Sequence, residues 1–174
     1  MISALKISVL PLILTCLLLF VALNYLYYNP SISEPLGYYL VLPGSGYQKG
    51  NTVLTCIDSK QHKQVFNQLG LADDGSCNNG LPYLLKTIVA MEGDTVQVVE
   101  SGILVNGIYQ QNSAQFKEAD GVKLYPLPIG WKCTLKQGDY FVMGQSLHSL
   151  DSRYFGVVNK SLIYSKTILI WPKQ

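Results

Sequence analysis

The run Leu84-Leu85-Lys86-Thr87-Ile88-Val89-Ala90 places a single lysine inside an otherwise largely apolar stretch. Burial disfavours the charged form of an amine and lowers its pKa, so a lysine desolvated in this way can act as a base near neutral pH. A neutral amine can take the proton of a serine hydroxyl, the work that histidine does in a Ser-His-Asp triad. Serines for it to act on stand in Asn29-Pro30-Ser31-Ile32-Ser33-Glu34-Pro35-Leu36-Gly37, two of them between two prolines. Each run also has a plain structural reading. The first is an edge strand guarded by a lysine that reaches water, and the second is a polar linker. His62 and His148 lie in polar surroundings with no matching signature, which leaves a histidine-based triad with weaker support.

Both runs follow an uncharged stretch from Ile7 to Leu26, and about 20 such residues suffice to cross the hydrocarbon core of a bilayer as a helix. A cleaved secretory signal has a shorter apolar region followed by a small-x-small site, whereas this stretch is longer and no clear site follows it. Lys6 precedes the stretch and no Lys or Arg follows until Lys49, so the positive-inside rule assigns residues 1–6 to the cytoplasm. Residues 7–28 then form a single-pass anchor, with Tyr25, Tyr27 and Tyr28 as an outer aromatic belt. Residues 29–174 form one exported domain, large enough for its own core. Only a few residues separate Leu26 from Ser33, which holds that serine near the bilayer surface.

Beyond the anchor, short β-type runs alternate with turn signals, and the domain reads as mainly β. The expected strands are Tyr38 to Leu42, Thr52 to Cys56, Leu84 to Ala90, Thr95 to Glu100, Ile103 to Val105, Tyr140 to Met143 and Leu162 to Ile170. Glu92-Gly93-Asp94 and Asn106-Gly107 are hairpin turn signals. Gln61 to Leu69, bounded by Gly70, is the main helix candidate. Residues Asn112 to Trp131, broken by Pro126 and Pro128, read as an extended surface loop.

Thirteen Lys and Arg against eleven Asp and Glu give a net charge of +2, and no basic run appears, so nucleic acid is not an expected partner. Of the four cysteines, Cys16 falls within the apolar stretch. Cys56, Cys77 and Cys133 fall in the exported part, where disulfides are permitted. Cys56 with Cys77 is the pairing expected, because the polar segment between them calls for a staple worth about 3 kcal/mol on a chain-entropy model. No two cysteines have C-x-x-C spacing, and neither a metal nor another cofactor is expected.

A third run, Gly138-Asp139-Tyr140-Phe141-Val142-Met143-Gly144-Gln145-Ser146-Leu147-His148-Ser149-Leu150-Asp151-Ser152-Arg153-Tyr154-Phe155-Gly156, completes a pattern. Ser-x-Pro-x-Gly at Ser33, Leu-Leu-Lys followed by Gly-Asp, and Ser-x-Asp-Ser-Arg-Tyr-Phe-Gly, in this order behind an apolar N-terminus, resemble the type I signal peptidase family. The resemblance is greatest to its conjugative-transfer branch, the TraF-type pilin-processing peptidases. It extends to Cys56, Cys77, Gly102 to Gly107 and Pro126 to Pro128. It implies a signal-peptidase-like β domain in which Ser33 is the acylated nucleophile and Lys86 the general base. It also implies an oxyanion hole made by the Ser31 hydroxyl and the Ser33 backbone N-H, a Ser149 that orients the lysine, and an Asp151-Arg153 ion pair that braces the site. Thr87 stands where housekeeping members carry an arginine, and Gln145 where they carry its aspartate partner.

The function so implied is that of a serine endopeptidase in the bacterial inner membrane with its catalytic domain in the periplasm. Its substrate, a signal-peptide-bearing protein or a pilin precursor, would lie extended beside Leu84 to Lys86. Attack by water frees a linear product, and attack by a chain terminus closes a ring. Other components of a conjugation machine are candidate partners. Three alternatives stand beside this reading: a general housekeeping signal peptidase, a non-catalytic anchored scaffold of a secretion or conjugation machine, and a soluble repressor-type self-cleaving Ser-Lys fold. The span from Ile7 to Leu26 argues against the last. Asn159-Lys160-Ser161 matches a glycosylation sequon, a pattern that arises often by chance.

Overall fold

Runs of Val, Ile, Tyr and Thr suit the pleated, half-buried surface of a sheet. In the computed structural model of the chain, which describes residues 9–44, 46–71 and 75–173, such runs become a mainly β fold. The apolar helix α1 (Val9–Tyr25) leads into β1 (Leu26–Asn29) and β2 (Gly37–Leu42), an antiparallel hairpin in which Asn29 faces Gly37. Next come β3 (Thr52–Thr55), α2 (Lys60–Gln68), β4 (Leu84–Ala90), β5 (Thr95–Val99), β6 (Gly102–Val105) and β7 (Ile108–Tyr109). The remainder holds β8 (Glu118–Ala119), β9 (Val122–Lys123), β10 (Lys132–Thr134), β11 (Asp139–Met143), α3 (Ser152–Phe155), β12 (Val158–Asn159) and β13 (Ile163–Pro172).

The main sheet runs β1-β2-β13-β3-β4-β11-β12, a second sheet runs β10-β5-β6-β7, and β8 pairs with β9. Strict alternation on β5 buries Val96 and Val98 while Thr95, Gln97 and Val99 stay partly exposed. These valines, with Ile103 and Val105 of β6, pack on Ala90, Phe141 and Met143 and so join the second sheet to β4 and β11. Val53, Ile88, Val142 and Ile163 form the core beneath the centre of the main sheet. Strands β2 and β4 are three places apart in that sheet. Neighbouring strands lie about 4.8 Å apart, so the sheet must curl for the β1-β2 loop to reach β4 and β11, as it does.

The expected strands and the helix are present with ends shifted by one or two residues. The N-terminal segment differs. Residues 1–6, with Lys6, and the first two positions of the expected anchor lie outside the described residues. Helix α1 stops at Tyr25, because pairing with β2 draws Leu26–Asn29 into a strand. Among the described residues no helix is long and apolar enough to cross a membrane. Of the three tyrosines expected at the bilayer surface, Tyr28 is exposed beside Tyr38, with ring centroids 5.1 Å apart. Tyr27 is half-buried and its hydroxyl donates to the Tyr83 carbonyl at 3.4 Å.

Residues 112–131 are not a free surface loop. Ser113 and Leu124 are buried, β8 and β9 make a small hairpin, and the Arg153 guanidinium holds the Asn112 and Ala114 carbonyls at 2.9 Å each. A disulfide joins Cys56 to Cys77 with their Cα atoms 5.9 Å apart, tying the end of β3 to the segment before β4. Cys16 and Cys133 are free.

Candidate active site

Ser33 sits in the loop of residues 30–36 that closes the β1-β2 hairpin, and a single buried side chain organises that loop. Asn29 accepts from the Ser31 backbone N-H at 3.1 Å through Oδ1, an Asx turn of the kind an Asn-Pro pair favours. Its Nδ2 donates to the carbonyls of Ser31, Glu34 and Pro35 at 2.9, 3.1 and 3.1 Å. The Tyr39 hydroxyl adds a second bond to the Pro35 carbonyl at 2.8 Å. Gly37 ends the loop with φ +143°, and a Cβ there would fall 2.1 Å from the Trp171 carbonyl oxygen. Only glycine permits β2 to meet β13 so closely while adopting that φ. The loop is thereby held by its backbone, leaving Ser31 exposed and Ser33 partly so.

The two serine hydroxyls face one another. Ser31 Oγ donates to Ser33 Oγ at 3.1 Å and accepts from the Ser33 backbone N-H at 3.2 Å. Both donors assigned to an oxyanion hole are thus occupied at rest, the Ser33 N-H by Ser31 Oγ and the Ser31 hydroxyl by Ser33 Oγ. A carbonyl oxygen arriving between them would replace one hydrogen bond of each, a rearrangement that needs only rotation of the Ser31 hydroxyl.

Lys86 lies on β4, which carries Leu84 half-buried and Leu85 buried before it, and its side chain is only 3% exposed. Burial pushes its amine down to about 8, while the charges of Asp151 and Glu34 oppose that shift and Arg153 adds to it. None of the hydrogen bonds among the described residues ends on its Nζ. Glu34 and Thr87 connect the two chemical residues: the Thr87 hydroxyl donates to Glu34 Oε1 at 2.8 Å, linking the neighbour of Ser33 to the neighbour of Lys86.

The last run closes the site from the other side. Ser33 O accepts from the Gln145 N-H at 2.7 Å and more weakly from Ser146 at 3.4 Å. Gly144 makes that approach possible, since a Cβ on it would lie 2.7 Å from Ser33 O and 2.4 Å from Ser149 Oγ. Ser149 is therefore beside the Ser33 loop, but its buried hydroxyl has no hydrogen-bond partner, so the expected bond from it to the lysine amine is not formed. Asp151 caps α3 and accepts from Arg153 Nε at 2.8 Å, both side chains being fully buried. Its Oδ2 accepts from the Gly144 N-H at 2.9 Å, which anchors the residue that touches Ser33. Arg153 also donates to the carbonyls of Leu147 and Ser149 at 3.0 and 2.8 Å. The Asp151-Arg153 pair thus ties the run from Gly144 to Ser149 to the start of α3.

No ion pair joins Thr87 to Gln145. Thr87 is bonded to Glu34 and the Gln145 backbone to Ser33, so hydrogen bonds made by the nucleophile loop itself fill that place. Two residues of the site escaped sequence reasoning. Asn29 had a local signal in its Asn-Pro pair, while Glu34 had none, because a glutamate in a polar run reads as solvated. His62 stacks edge-on against Phe155 and His148 lies flat on Phe116. Among the described residues no group of three or more His, Cys, Asp or Glu is placed to hold a metal ion.

Residues 1–172 match the family model described as signal peptidase, peptidase S26. Two proteins of Escherichia coli named plasmid transfer protein TraF are similar to this chain. One is 31% identical over 142 residues, 81% of this chain and 78% of that protein, and the other 29% identical over 146 residues, 82% of each. A signal peptidase I from Enterococcus faecalis, known from its crystal structure, shares 16% identity over 69% of this chain and 95% of its own, with a TM-score of 0.37. By the match across nearly its whole length, the chain belongs to the signal peptidase family, peptidase S26.

Proposed function

We propose that this chain is a membrane-anchored serine endopeptidase in which Ser33 attacks the scissile carbonyl and Lys86 takes the serine proton. The observation that carries this reading is the desolvated lysine amine, lowered to about 8, on the strand that Glu34 and Thr87 tie to the nucleophile loop. An amine with that proton affinity has a usable neutral fraction at pH 7 and matches the demand on a general base. As the tetrahedral intermediate collapses to the acyl enzyme, the lysine gives its proton to the leaving amine, and the neutral amine then activates the incoming nucleophile. The Ser33 N-H and the Ser31 hydroxyl supply donors for the tetrahedral oxyanion.

Substrate binding has a ready edge. Strand β11 pairs with β4 only from Ala90 to Thr87, so Leu84, Leu85 and Lys86 keep β3 on one side and have no strand on the other among the described residues. An extended precursor added there would gain backbone hydrogen bonds and deliver its carbonyl toward Ser33. The apolar residues of α1 from Val9 to Val21 are exposed, and Tyr28, Tyr38 and Trp171 form an exposed aromatic cluster near its end. These features support a bilayer anchor, a domain on the periplasmic side of a bacterial inner membrane, and cleavage at the outer leaflet. Likeness to the plasmid transfer proteins supports maturation of a conjugative pilin, with ring closure as one outcome, in company with other conjugation components.

The test is mass spectrometry of a pilin precursor co-expressed with the wild-type chain or with Ser33→Ala. Cleavage that needs Ser33 and Lys86 is the expected result, and a product lighter by one water than the linear form marks ring closure. Normal processing by both Ser33→Ala and Lys86→Ala would leave the chain as a non-catalytic scaffold.

A further inference from the structure

Glu34 follows the nucleophile directly, yet its side chain is 2% exposed. Its Oε1 accepts from Thr87, and its Oε2 is buried without any partner. Buried polar atoms are nearly always paired, and a carboxylate is far harder to bury than a neutral acid, so an orphaned carboxyl oxygen marks a place where a proton can sit. The groups that face it are Lys86 on β4, Asp151 at the start of α3 and Tyr39 on β2. Those facing Lys86 are Glu34, Asp151 and Arg153. Thr87 and Lys86 are consecutive on β4, so their side chains leave opposite faces of the strand. The carboxyl therefore acts on the amine through a dry strand and not by contact.

We propose that Glu34 is a positioning residue that governs whether Lys86 carries its proton, through a buried carboxyl with one oxygen free to hold a proton of its own. This rests on the reading of Lys86 as the base. With the proton on Lys86, Glu34 is a carboxylate whose field keeps the amine charged and idle. With the proton on Glu34 Oε2, Lys86 keeps its lone pair and can accept from Ser33. The shift moves one proton and leaves net charge unchanged. Burial pushes the Glu34 carboxyl up to about 7 and the Lys86 amine down to about 8, which brings both arrangements within reach of each other near neutrality. The Thr87 hydroxyl, donating to Oε1, favours the carboxylate and tunes the balance.

The experiment is the pH profile of kcat/KM from pH 5 to 10 for the full chain in detergent micelles, cleaving a peptide that spans a precursor cleavage site. Glu34→Gln keeps the shape of the side chain and cannot ionise, so Lys86 loses the anion that holds its proton. The midpoint of the acidic limb is expected to move down by about half a pH unit, with the relative gain largest between about pH 7 and 8 and fading at pH 6, where the wild-type carboxyl is itself protonated. Thr87→Val, which withdraws the hydroxyl from the carboxylate, is expected to move the limb the same way by less, and it serves if Glu34→Gln does not fold. A limb that stays within about 0.2 units of wild type in the folded variants, or moves upward, overturns the proposal. Cleavage that survives Lys86→Ala would instead remove the reading of Lys86 as base, a failure distinguishable from this one.

Discussion

Replacing Lys86 with methionine is expected to stabilise the fold while ending its activity, because the site holds an amine that would be better solvated in the unfolded chain. Burial lowers the Lys86 pKa from an ordinary 10.5 to about 8. At 1.36 kcal/mol per unit, the folded site disfavours the ammonium by about 3 kcal/mol. Between pH 8 and 10.5 the unfolded chain binds the proton that the folded chain has released, so wild-type stability climbs as pH rises through that window and carries the full penalty below it. Methionine has nearly the same length and no charge, and it would remove the penalty. The attraction of Glu34 and Asp151 is already contained in that figure, so the gain is about 3 kcal/mol less whatever imperfect packing of the methionine costs, which leaves about 1–3 kcal/mol at pH 7. Urea unfolding of the full chain in micelles, followed by tryptophan fluorescence, should give Lys86→Met the higher midpoint at pH 6 and 7 with an unchanged slope. Most of the difference should vanish by pH 10. A methionine variant no more stable than wild type at pH 7, or a difference that ignores pH, would refute the premise that folding desolvates this amine.

Gly144→Ala would push a methyl group onto Ser33 O and Ser149 Oγ, and is expected to cost about 1–3 kcal/mol by thermal unfolding and at least about 100-fold in single-turnover cleavage. Asn29→Ala removes four hydrogen bonds from the nucleophile loop and should lower stability by about 2–3 kcal/mol, with the activity loss falling in kcat and not KM. Ser31→Ala, at an exposed position, should leave the unfolding midpoint nearly unchanged and reduce kcat by about 100- to 1,000-fold if its hydroxyl stabilises the oxyanion. A wild-type kcat in Ser31→Ala would remove that role.

Sequence reasoning reached furthest where the relevant signal is local. Lys86 is conspicuous because one charge among apolar neighbours must either reach water or be desolvated, and its burial in the fold decides for desolvation. The valines of β5 reveal their buried face by alternation alone, and the Cys56-Cys77 bridge joins the two ends of a polar excursion. The reading of residues 112–131 as loop failed for the opposite reason. What pins that segment is a guanidinium some 40 positions later in the chain, and no pattern within the segment records it. Glu34 was passed over similarly, since its burial depends on a threonine 53 residues away.

By itself the sequence determined which groups are candidates for chemistry and where the strands run, because side-chain chemistry and hydrophobic period are properties of a few consecutive residues. Only the tertiary structure decided that the β1-β2 loop reaches across to Gly144 and Thr87, that Asp151 and Arg153 are sealed from solvent, and that the carboxyl next to Ser33 lies in the dry interior. Those outcomes follow from the curl of a seven-stranded sheet, which sums small twists over strands distant in sequence, and the proton affinities of the site are set by the burial that this curl creates.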